Sequence, residues 1–381
     1  MFAAGTPLPQ APVRDESPVG AASCRERICS LVFALLAFMA CSATAAPPHF
    51  VVLLYHHVAD GTPPVTSVSP SDFGAELDYL ADNCFHVRAL SELVDALDSG
   101  EDIPDRSIAI TFDDAYSDIL TNAAPRLQKR GWPFTVFVAT DAVDQQHAGI
   151  MSWDDLRNLK TMGAELANHS RSHAHLIRRL PGEHRDAWLT RVRADIADGA
   201  KRLKDETGTG NELFAWPYGE YDQALDNLAG DMGLTAFTQA SGAVGDQYDR
   251  QRLPRFPVAG NYTDLDELKN RFDALPLPVT NAEPADPERS KNERRPELTL
   301  TIAEGNYQSG ALACYVSGQG RVAPTITGNG PVTLTVRAPK DLPGGRSRYN
   351  CTAPSRDGSR WYWFSRPWFI PNPDGSWPEE P

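Results

Sequence analysis

The stretch SIAITFDD, residues 107–114, decides the fold, because an apolar run ends there in two adjacent carboxylates. A run without polar alternation is typical of a strand that is buried on both faces of a parallel sheet. Similar runs occur at residues 50–55 (FVVLLY) and 134–139 (FTVFVA). Helical periodicity between such runs predicts that strands and helices alternate along the chain.

The alternation continues over about seven units and predicts an α/β fold, a (β/α)7 barrel covering residues 46–273. Shorter strands are expected at 165–167, 213–216 and 235–238. Helices are expected at 71–80, 91–97, 116–130, 152–161, 184–206 and 223–232, several with a Ser cap or a closing Gly. Active groups of such barrels lie where strands end, at one face.

Two histidines, His169 and His173, follow the carboxylate pair 55 and 59 residues after Asp114. One Asp and two His can hold a divalent metal and leave coordination positions open, and a second carboxylate beside a metal-bound water is a general base. The spacing of the two histidines suits a metal if their loop turns helically; His175 could replace His173 only with a different geometry. The pattern predicts a metal-assisted hydrolase.

Composition limits the partners and the number of domains. The chain has 381 residues, 41% of them hydrophobic, which is enough for one large domain and a small one. Its formal net charge of −14 argues against nucleic acid, since binding to phosphates needs a basic face.

Residues 1–45 have the pattern of a secretory signal peptide, so we expect an exported protein, periplasmic or extracellular. Arg25 and Arg27 precede an apolar run at residues 28–40, and Ala43-x-Ala45 follows as a cleavage site. The alternative is a lipoprotein signal with Cys41 lipidated, in which case the protein would be anchored to the outer membrane.

Three cysteines remain after such a signal. We predict that Cys314 and Cys351 pair, because both lie in the last part of the chain and the compartment is oxidising. Cys84 is expected to be a buried free thiol.

The pattern changes after the barrel. Residues 274–297 contain many prolines and charges and predict a linker. Residues 298–381 show short segments of period two with glycine-rich turns, which predict a small β-sandwich-like module. Its aromatic run at residues 361–364 either fills the core and docks on the barrel, which we favour, or binds carbohydrate.

Three segments resemble the motifs of a known family, the polysaccharide deacetylases with a NodB-type domain (carbohydrate esterase family 4). They are TFDD at residues 111–114, HSRSH at 169–173 and FAWPYG at 214–219. The resemblance covers roughly residues 50–265 and implies a distorted barrel and hydrolysis of acetyl groups.

The resemblance also implies roles for individual residues. Asp113 would be the catalytic base, while Asp114, His169 and His173 would hold the metal, which we expect to be Zn²⁺, with Co²⁺ or Ni²⁺ fitting the same ligands. The backbone N–H of Tyr218 would stabilise the oxyanion.

The sequence departs from the family pattern at two points. Ala215 stands where the third motif usually carries an Arg that orients the base, and no Leu-x-His segment follows residue 240. Arg255 could orient the base instead, or it could be a surface residue. An early His would then be the general acid: His56 is our assignment and His57 the alternative, since neighbours on a strand point in opposite directions.

The segments LYHH at residues 54–57 and FAWPYGEY at 214–221 resemble the branch that deacetylates poly-β-1,6-N-acetylglucosamine, a biofilm exopolysaccharide. We therefore expect an N-acetylglucosamine-containing polysaccharide as substrate. Alternatives are peptidoglycan, chitin oligomers or acetylated xylan, or a non-catalytic carbohydrate-binding protein. Trp153, Trp216 and Tyr218 could stack on sugars or pack in the core.

Overall fold

The computed structural model describes residues 47–210 and 212–379. The expected signal peptide and Cys41 lie outside these residues. Within the described ranges, no helix is both long enough and apolar enough to cross a lipid bilayer.

The first part of the chain is built on a nine-stranded sheet that curls into a partly closed barrel. Two further short strands, β2 and β3, pair with each other beside it. The strands of this part are β1 (His49–Tyr55), β2 (His57–Val58), β3 (Ser67–Val68), β4 (His86–Val87), β5 (Ser107–Asp113), β6 (Phe134–Val138), β7 (Ala164–Asn168), β8 (Leu213–Ala215), β9 (Thr235–Phe237), β10 (Val244–Gly245) and β11 (Phe256–Pro257).

Parallel pairing joins the central strands in the order β1-β5-β6-β7-β8-β9. The curl closes through the segment after β10, because Phe237 forms a bridge with Leu253 and β11 pairs in parallel with β1. The strands β1, β5 and β6 are buried along their whole length, which explains their unbroken apolar sequences. The predicted α/β barrel is confirmed.

Among the described residues, eight α-helices surround the sheet or connect its strands: α1 (Pro70–Asp82), α2 (Leu90–Ser99), α3 (Ala124–Arg130), α4 (Thr140–Asp144), α5 (Trp153–Thr161), α6 (Arg185–Thr207), α7 (Gln223–Asp231) and α8 (Leu265–Phe272). Ser152 caps α5 in a capping box with Asp155, as its sequence predicts. The helix expected at 116–130 instead begins with a π-helical turn at Ile119–Ala123, and Pro125, which has no N–H to donate, follows in α3.

Residues 275–379 form a β-sandwich of two sheets. The nine strands are β12 (Leu275–Pro276), β13 (Val279–Glu283), β14 (Glu297–Ile302), β15 (Ala313–Val316), β16 (Gly320–Val322), β17 (Thr325–Thr327), β18 (Val332–Arg337), β19 (Gly345–Pro354) and β20 (Trp361–Ile370). One sheet has the order β12-β20-β19-β15-β16 and the other β13-β14-β18-β17. We call this unit the β-module.

The segment 274–297 differs from the expected linker. It contributes β12, which pairs with β20, and β13, which pairs with β14. The prolines of this segment led to the prediction of a linker, because proline is depleted in the interior of sheets. Proline is tolerated in edge strands, and β12 and β13 both lie at the edge of a sheet.

The cysteine predictions had different outcomes. Cys314 and Cys351 form a disulfide between β15 and β19, as predicted. The expectation that Cys84 is a buried free thiol is wrong, because Cys84 is exposed and disulfide-bonded.

Glu76 is a carboxyl group buried in the barrel core. It is 1% exposed and accepts a hydrogen bond of 2.7 Å from the hydroxyl of Tyr55, the last residue of β1. Burial raises the pKa of Glu76 to about 8. Glu76 is therefore protonated in the folded protein at neutral pH.

We expect this carboxyl group to make the protein less stable as pH rises. The folded chain keeps the Glu76 proton up to about pH 8, whereas the unfolded chain releases it near the ordinary pKa of 4.5. The contribution of this proton to the free energy of unfolding is therefore complete below pH 4.5 and is lost as pH rises to about 8. From about pH 5 to about pH 8, the free energy of unfolding should fall by about 3 kcal/mol more in the wild type than in Glu76→Gln. Urea denaturation at both pH values measures this. The exposed Glu92→Gln is the control, and an equal pH dependence in wild type and Glu76→Gln would contradict the assignment.

Candidate active site

The predicted site residues lie at the carboxyl-terminal edge of the parallel strands. Asp113 is the last residue of β5 and Asp114 follows it, while His169 follows β7 directly. Five of the eight non-glycine residues with positive φ in the described ranges lie here: Asp114, Ala115, Ser170, His173 and Tyr218. Backbone in this region costs about 1–3 kcal/mol for such residues and tends to occur at functional sites.

Asp114, His169 and His173 form a group whose ligand atoms lie within 4.8 Å of one another. Asp114 Oδ1 is 3.1 Å from His173 Nε2 and 3.5 Å from His169 Nε2. Burial alone would raise the pKa of Asp114, but the hydrogen bond and charge of His173 hold it well below its ordinary value. A carboxylate and two imidazole nitrogens that converge in this way suit a divalent ion with open coordination positions.

The orientation of His169 supports this interpretation. Its Nδ1–H donates a hydrogen bond of 2.8 Å to the carbonyl oxygen of Ala215. The lone pair of Nε2 is therefore free of a proton and is directed towards Asp114. Burial lowers the pKa of His169 to about 4. At neutral pH the ring is therefore uncharged, which is the form that binds metals.

Asp113 and Arg255 form a fully buried ion pair. Both side chains are 0% exposed, and the guanidinium donates to the two carboxylate oxygens at 2.7 and 2.8 Å. Burial alone would raise the pKa of Asp113, but Arg255 and His169 outweigh it and lower the pKa below the ordinary value. Arg255 is therefore not a surface residue. It contacts Asp113 in place of the arginine that the third motif lacks at Ala215.

The loop that carries the two histidines is not helical, so a helical turn is not what brings them together. Ser170 and His173 both have positive φ. The carboxylate of Asp195, on α6, accepts from the backbone N–H groups of Arg171 and Ser172 and from the Ser172 hydroxyl. These contacts with α6 bring His173 towards Asp114.

Helix α6 approaches this loop closely because residue 199 is glycine. A Cβ atom at Gly199 would lie 2.7 Å from the Arg171 nitrogen and from the Ser170 carbonyl carbon, and 2.9 Å from Asn168 Oδ1. Two of these three atoms belong to the backbone, so any side chain at this position displaces the histidine loop.

The two histidines after β1 have different surroundings. His57 Nδ1 lies 2.6 Å from Asp118, and its ring stacks on Tyr116 at 3.7 Å. His56 is half-buried, and its charge favours the ionised forms of Asp113 and Asp114. Of the two, His56 therefore lies towards the carboxylates, whereas His57 has structural partners elsewhere.

Tyr218 forms one wall of the site. Its ring centroid is 4.7 Å from that of His173, and it stacks on His175 at 3.7 Å. His175 Nδ1 lies 2.8 Å from the buried Glu220. His175 thus supports the wall and lies outside the metal group, and Glu220 is a partner that sequence reasoning missed.

Two aromatic candidates for sugar stacking pack elsewhere. Trp216 is 0% exposed and donates its indole N–H to the backbone carbonyl oxygen of Gln251. Trp153 donates to Asp144 and lies under the guanidinium of Arg202. Only Tyr218 of the three lies against the metal group.

Two further residues at the site were not anticipated from the sequence. Tyr116, shortly after the carboxylate pair, has its pKa raised by burial and by Asp114. Arg346 reaches Tyr218 from the β-module. Tyr116 could have been suspected from its position after the motif, whereas the sequence offered no indication of Arg346.

Comparison with known proteins supports the same assignment. Residues 100–237 match the family described as polysaccharide deacetylase. The chain is 22% identical to the poly-beta-1,6-N-acetyl-D-glucosamine N-deacetylase of Escherichia coli (strain K12), covering 56% of this chain and 37% of the relative. It is 26% identical to the protein of the same name from Staphylococcus aureus (strain MSSA476), covering 55% and 73%.

The fold resembles that of a solved structure, the deacetylase PplD of Streptococcus pyogenes in complex with acetate. The TM-score is 0.53 at 21% identity, and the match covers 60% of this chain and 99% of PplD. The match leaves the remaining part of this chain uncovered.

We expect Gly199→Ala to disturb the metal group through the backbone of the histidine loop. Overpacking of this kind should lower the free energy of unfolding by about 1–3 kcal/mol and weaken metal binding by about tenfold or more. Metal titration and urea denaturation test this. Gly74→Ala on α1 is the control, because a Cβ atom there meets nothing within 4 Å and should leave metal binding unchanged. Unchanged affinity in Gly199→Ala would show that the loop does not depend on this close approach.

Proposed function

We propose that this protein, whose residues 100–237 match the polysaccharide deacetylase family, is an exported, metal-dependent N-deacetylase of a polysaccharide that contains N-acetylglucosamine. The main support for the proposal is that two adjacent carboxylates have different partners. Asp114 faces two imidazole nitrogens, while Asp113 is bound to Arg255. One carboxylate is thus available to a metal, and its neighbour remains ionised for proton transfer.

The donor set favours Zn²⁺, and Co²⁺ or Ni²⁺ would fit the same ligands. When bound, such an ion supplies an activated water at neutral pH and polarises the acetamide carbonyl. The remaining steps are carried out by residues of the protein. Asp113 accepts a proton from the attacking water, and Arg255 keeps it ionised and oriented.

Two further residues complete the reaction. The backbone N–H of Tyr218, held at a φ of 59°, donates to the developing oxyanion. His56 donates a proton to the departing amine, so that acetate and a glucosamine unit leave. The contact between His57 Nδ1 and Asp118 supports the choice of His56 over the neighbouring His57.

For the substrate, we propose poly-β-1,6-N-acetylglucosamine. Support comes from the LYHH segment at the end of β1 and from the names of the two curated relatives. The pattern of residues 1–45 supports export.

Acetate release tests the proposal. The zinc-loaded protein is offered β-1,6-linked N-acetylglucosamine oligomers, chitin oligomers and acetylated xylan in parallel. We expect acetate from the β-1,6 oligomers and a loss of about 10²–10⁴-fold in kcat for Asp113→Asn. The exposed Asp154→Asn should keep wild-type rates.

The outcomes separate the parts of the proposal. Release only from another polymer would retain the chemistry and reject the proposed substrate. Full activity of Asp113→Asn would reject Asp113 as the base. Absence of release from every polymer by the zinc-loaded protein would contradict a deacetylase and favour a carbohydrate-binding protein.

The choice between the two histidines after β1 can be tested in the same assay. His56→Gln should lower kcat by about 10²–10⁴-fold with little change in stability, because it removes the proton donor. His57→Gln is the matched control and should lower stability through its lost contacts with Asp118 and Tyr116 while kcat changes little. The reverse pattern would assign the acid to His57.

A further inference from the structure

The last strand of the β-module is followed by a segment that returns to the barrel, residues 371–378, which we call the return segment. Trp377 of this segment is partly buried and packs against an apolar cluster of the barrel. The Arg178 guanidinium lies 5.2 Å from the centre of the Trp377 ring and donates to the Pro378 carbonyl oxygen at 3.3 Å. Because Arg178 lies between β7 and α6, the return segment contacts the same connection that carries the two histidines of the metal group.

Arg178 also faces Glu220, whose side chain is 0% exposed. Nη2 of Arg178 lies 3.7 Å from Oε1 of Glu220, while Oε2 accepts a hydrogen bond of 2.8 Å from Nδ1 of His175. Oε1 has no hydrogen-bond partner among the residues that the structure describes. A carboxylate in the interior needs a positive charge nearby to offset its lost hydration, and Arg178 supplies that charge. The position of Glu220 therefore depends on the guanidinium that the return segment contacts.

Glu220 acts on Tyr218 in two ways. It follows Tyr218 by two residues in the same turn, in which the Glu220 N–H donates to the Pro217 carbonyl oxygen at 3.2 Å. It also orients the ring of His175, which stacks on the Tyr218 ring with centroids 3.7 Å apart and planes inclined by only 9°. This stack keeps the Tyr218 ring beside His173 of the metal group, at a centroid distance of 4.7 Å.

The backbone of Tyr218 needs this support, because its φ of 59° is unfavourable for a residue with a side chain. Such a conformation persists only where the surrounding contacts hold it. An N–H group stabilises an oxyanion only if it is directed at the point where the charge develops, and a displacement of about 1 Å can cost about 100-fold in rate. The contacts of His175 and Glu220 therefore bear on the direction of the Tyr218 N–H.

We propose that Glu220 is a positioning residue for the oxyanion donor, and that the return segment of the β-module keeps Glu220 in place through Arg178. The inference rests on the proposed function and gives the β-module a role in the rate of the same reaction. The contacts run in order from Trp377 to Arg178, Glu220, His175 and the ring of Tyr218. Removing a contact in this series should slow the chemical step and leave the affinities for substrate and zinc unchanged.

Steady-state acetate release by the zinc-loaded protein tests the proposal, with the polymer from which the wild type releases acetate as substrate. Trp377→Ala should lower kcat by about fivefold or more, while KM and the affinity for zinc stay within about twofold of the wild type. Trp377→Phe keeps an aromatic ring for Arg178 and should recover most of the lost kcat. A segment that only stabilised the fold would change the unfolding temperature without this division between kcat and KM.

A double-mutant cycle tests whether the effect passes through Glu220. Glu220→Gln keeps an acceptor for His175 Nδ1–H and removes the charge that faces Arg178, so it should lower kcat as Trp377→Ala does. In the Glu220→Gln background, Trp377→Ala should then cause little further loss, because both changes interrupt the same series of contacts. Equal losses in both backgrounds, or an unchanged kcat in Trp377→Ala, would overturn the inference while acetate release by the wild type still supported the proposed function.

The control is Trp361→Ala, which removes an exposed tryptophan at the opposite end of β20 from the return segment. This variant should behave as the wild type in kcat, KM and zinc affinity. Thermal unfolding checks that every variant is folded at the temperature of the assay.

A failure of the proposed function gives a different result, namely a wild type that releases no acetate from any polymer. The position of Tyr218 is then followed by NMR of the protein labelled with ¹³C in its tyrosine rings, with Tyr218→Phe to assign the signal. A shift of this signal in Trp377→Ala, and none in Trp361→Ala, would support the coupling between the return segment and Tyr218 in a protein of another function. An unshifted signal in Trp377→Ala would overturn it.

Discussion

The ion pair between Asp113 and Arg255 is the interaction on which the arrangement of the site depends. Both groups are fully buried, and removing one partner of such a pair typically costs about 3–5 kcal/mol because the other charge remains in the interior. The two residues lie 142 positions apart, so the pair also joins β5 to the segment that closes the barrel. Arg255 is fixed in turn by the Thr238 carbonyl and lies over the Phe137 ring. This contact thus supports the closure of the sheet and gives two adjacent carboxylates different partners.

The second constraint is the strained backbone around the metal group. Asp114, Ser170 and His173 all adopt positive φ, which extended strands would not provide. The strain is supported by neighbouring contacts, chiefly Asp195 and the close approach at Gly199. The ligands therefore depend on helix α6 as well as on the strands that precede them, and the β-module adds a wall that a barrel alone would lack.

Sequence reasoning was most successful where a feature is local. Unbroken apolar runs predicted β1, β5 and β6, and the carboxylate pair with the two histidines predicted the residues that the structure brings together. It was weaker where a partner is distant in sequence. The position of Arg255 depends on barrel closure, and the approach of Arg346 to Tyr218 depends on how the β-module docks. The spacing of the two histidines also contains no information about the path of their loop, which depends on the distant Asp195.

The central claim is that two neighbouring carboxylates differ in role, Asp114 as a metal ligand and Asp113 as a base held off the metal by Arg255. Zinc titration of Asp113→Asn and Asp114→Asn, side by side with the wild type, tests it most directly. The account predicts that Asp113→Asn, whose amide oxygen can still accept a hydrogen bond from Arg255, binds one equivalent of zinc with nearly wild-type affinity, whereas Asp114→Asn loses tight binding. Loss of zinc from Asp113→Asn with retention by Asp114→Asn would contradict it.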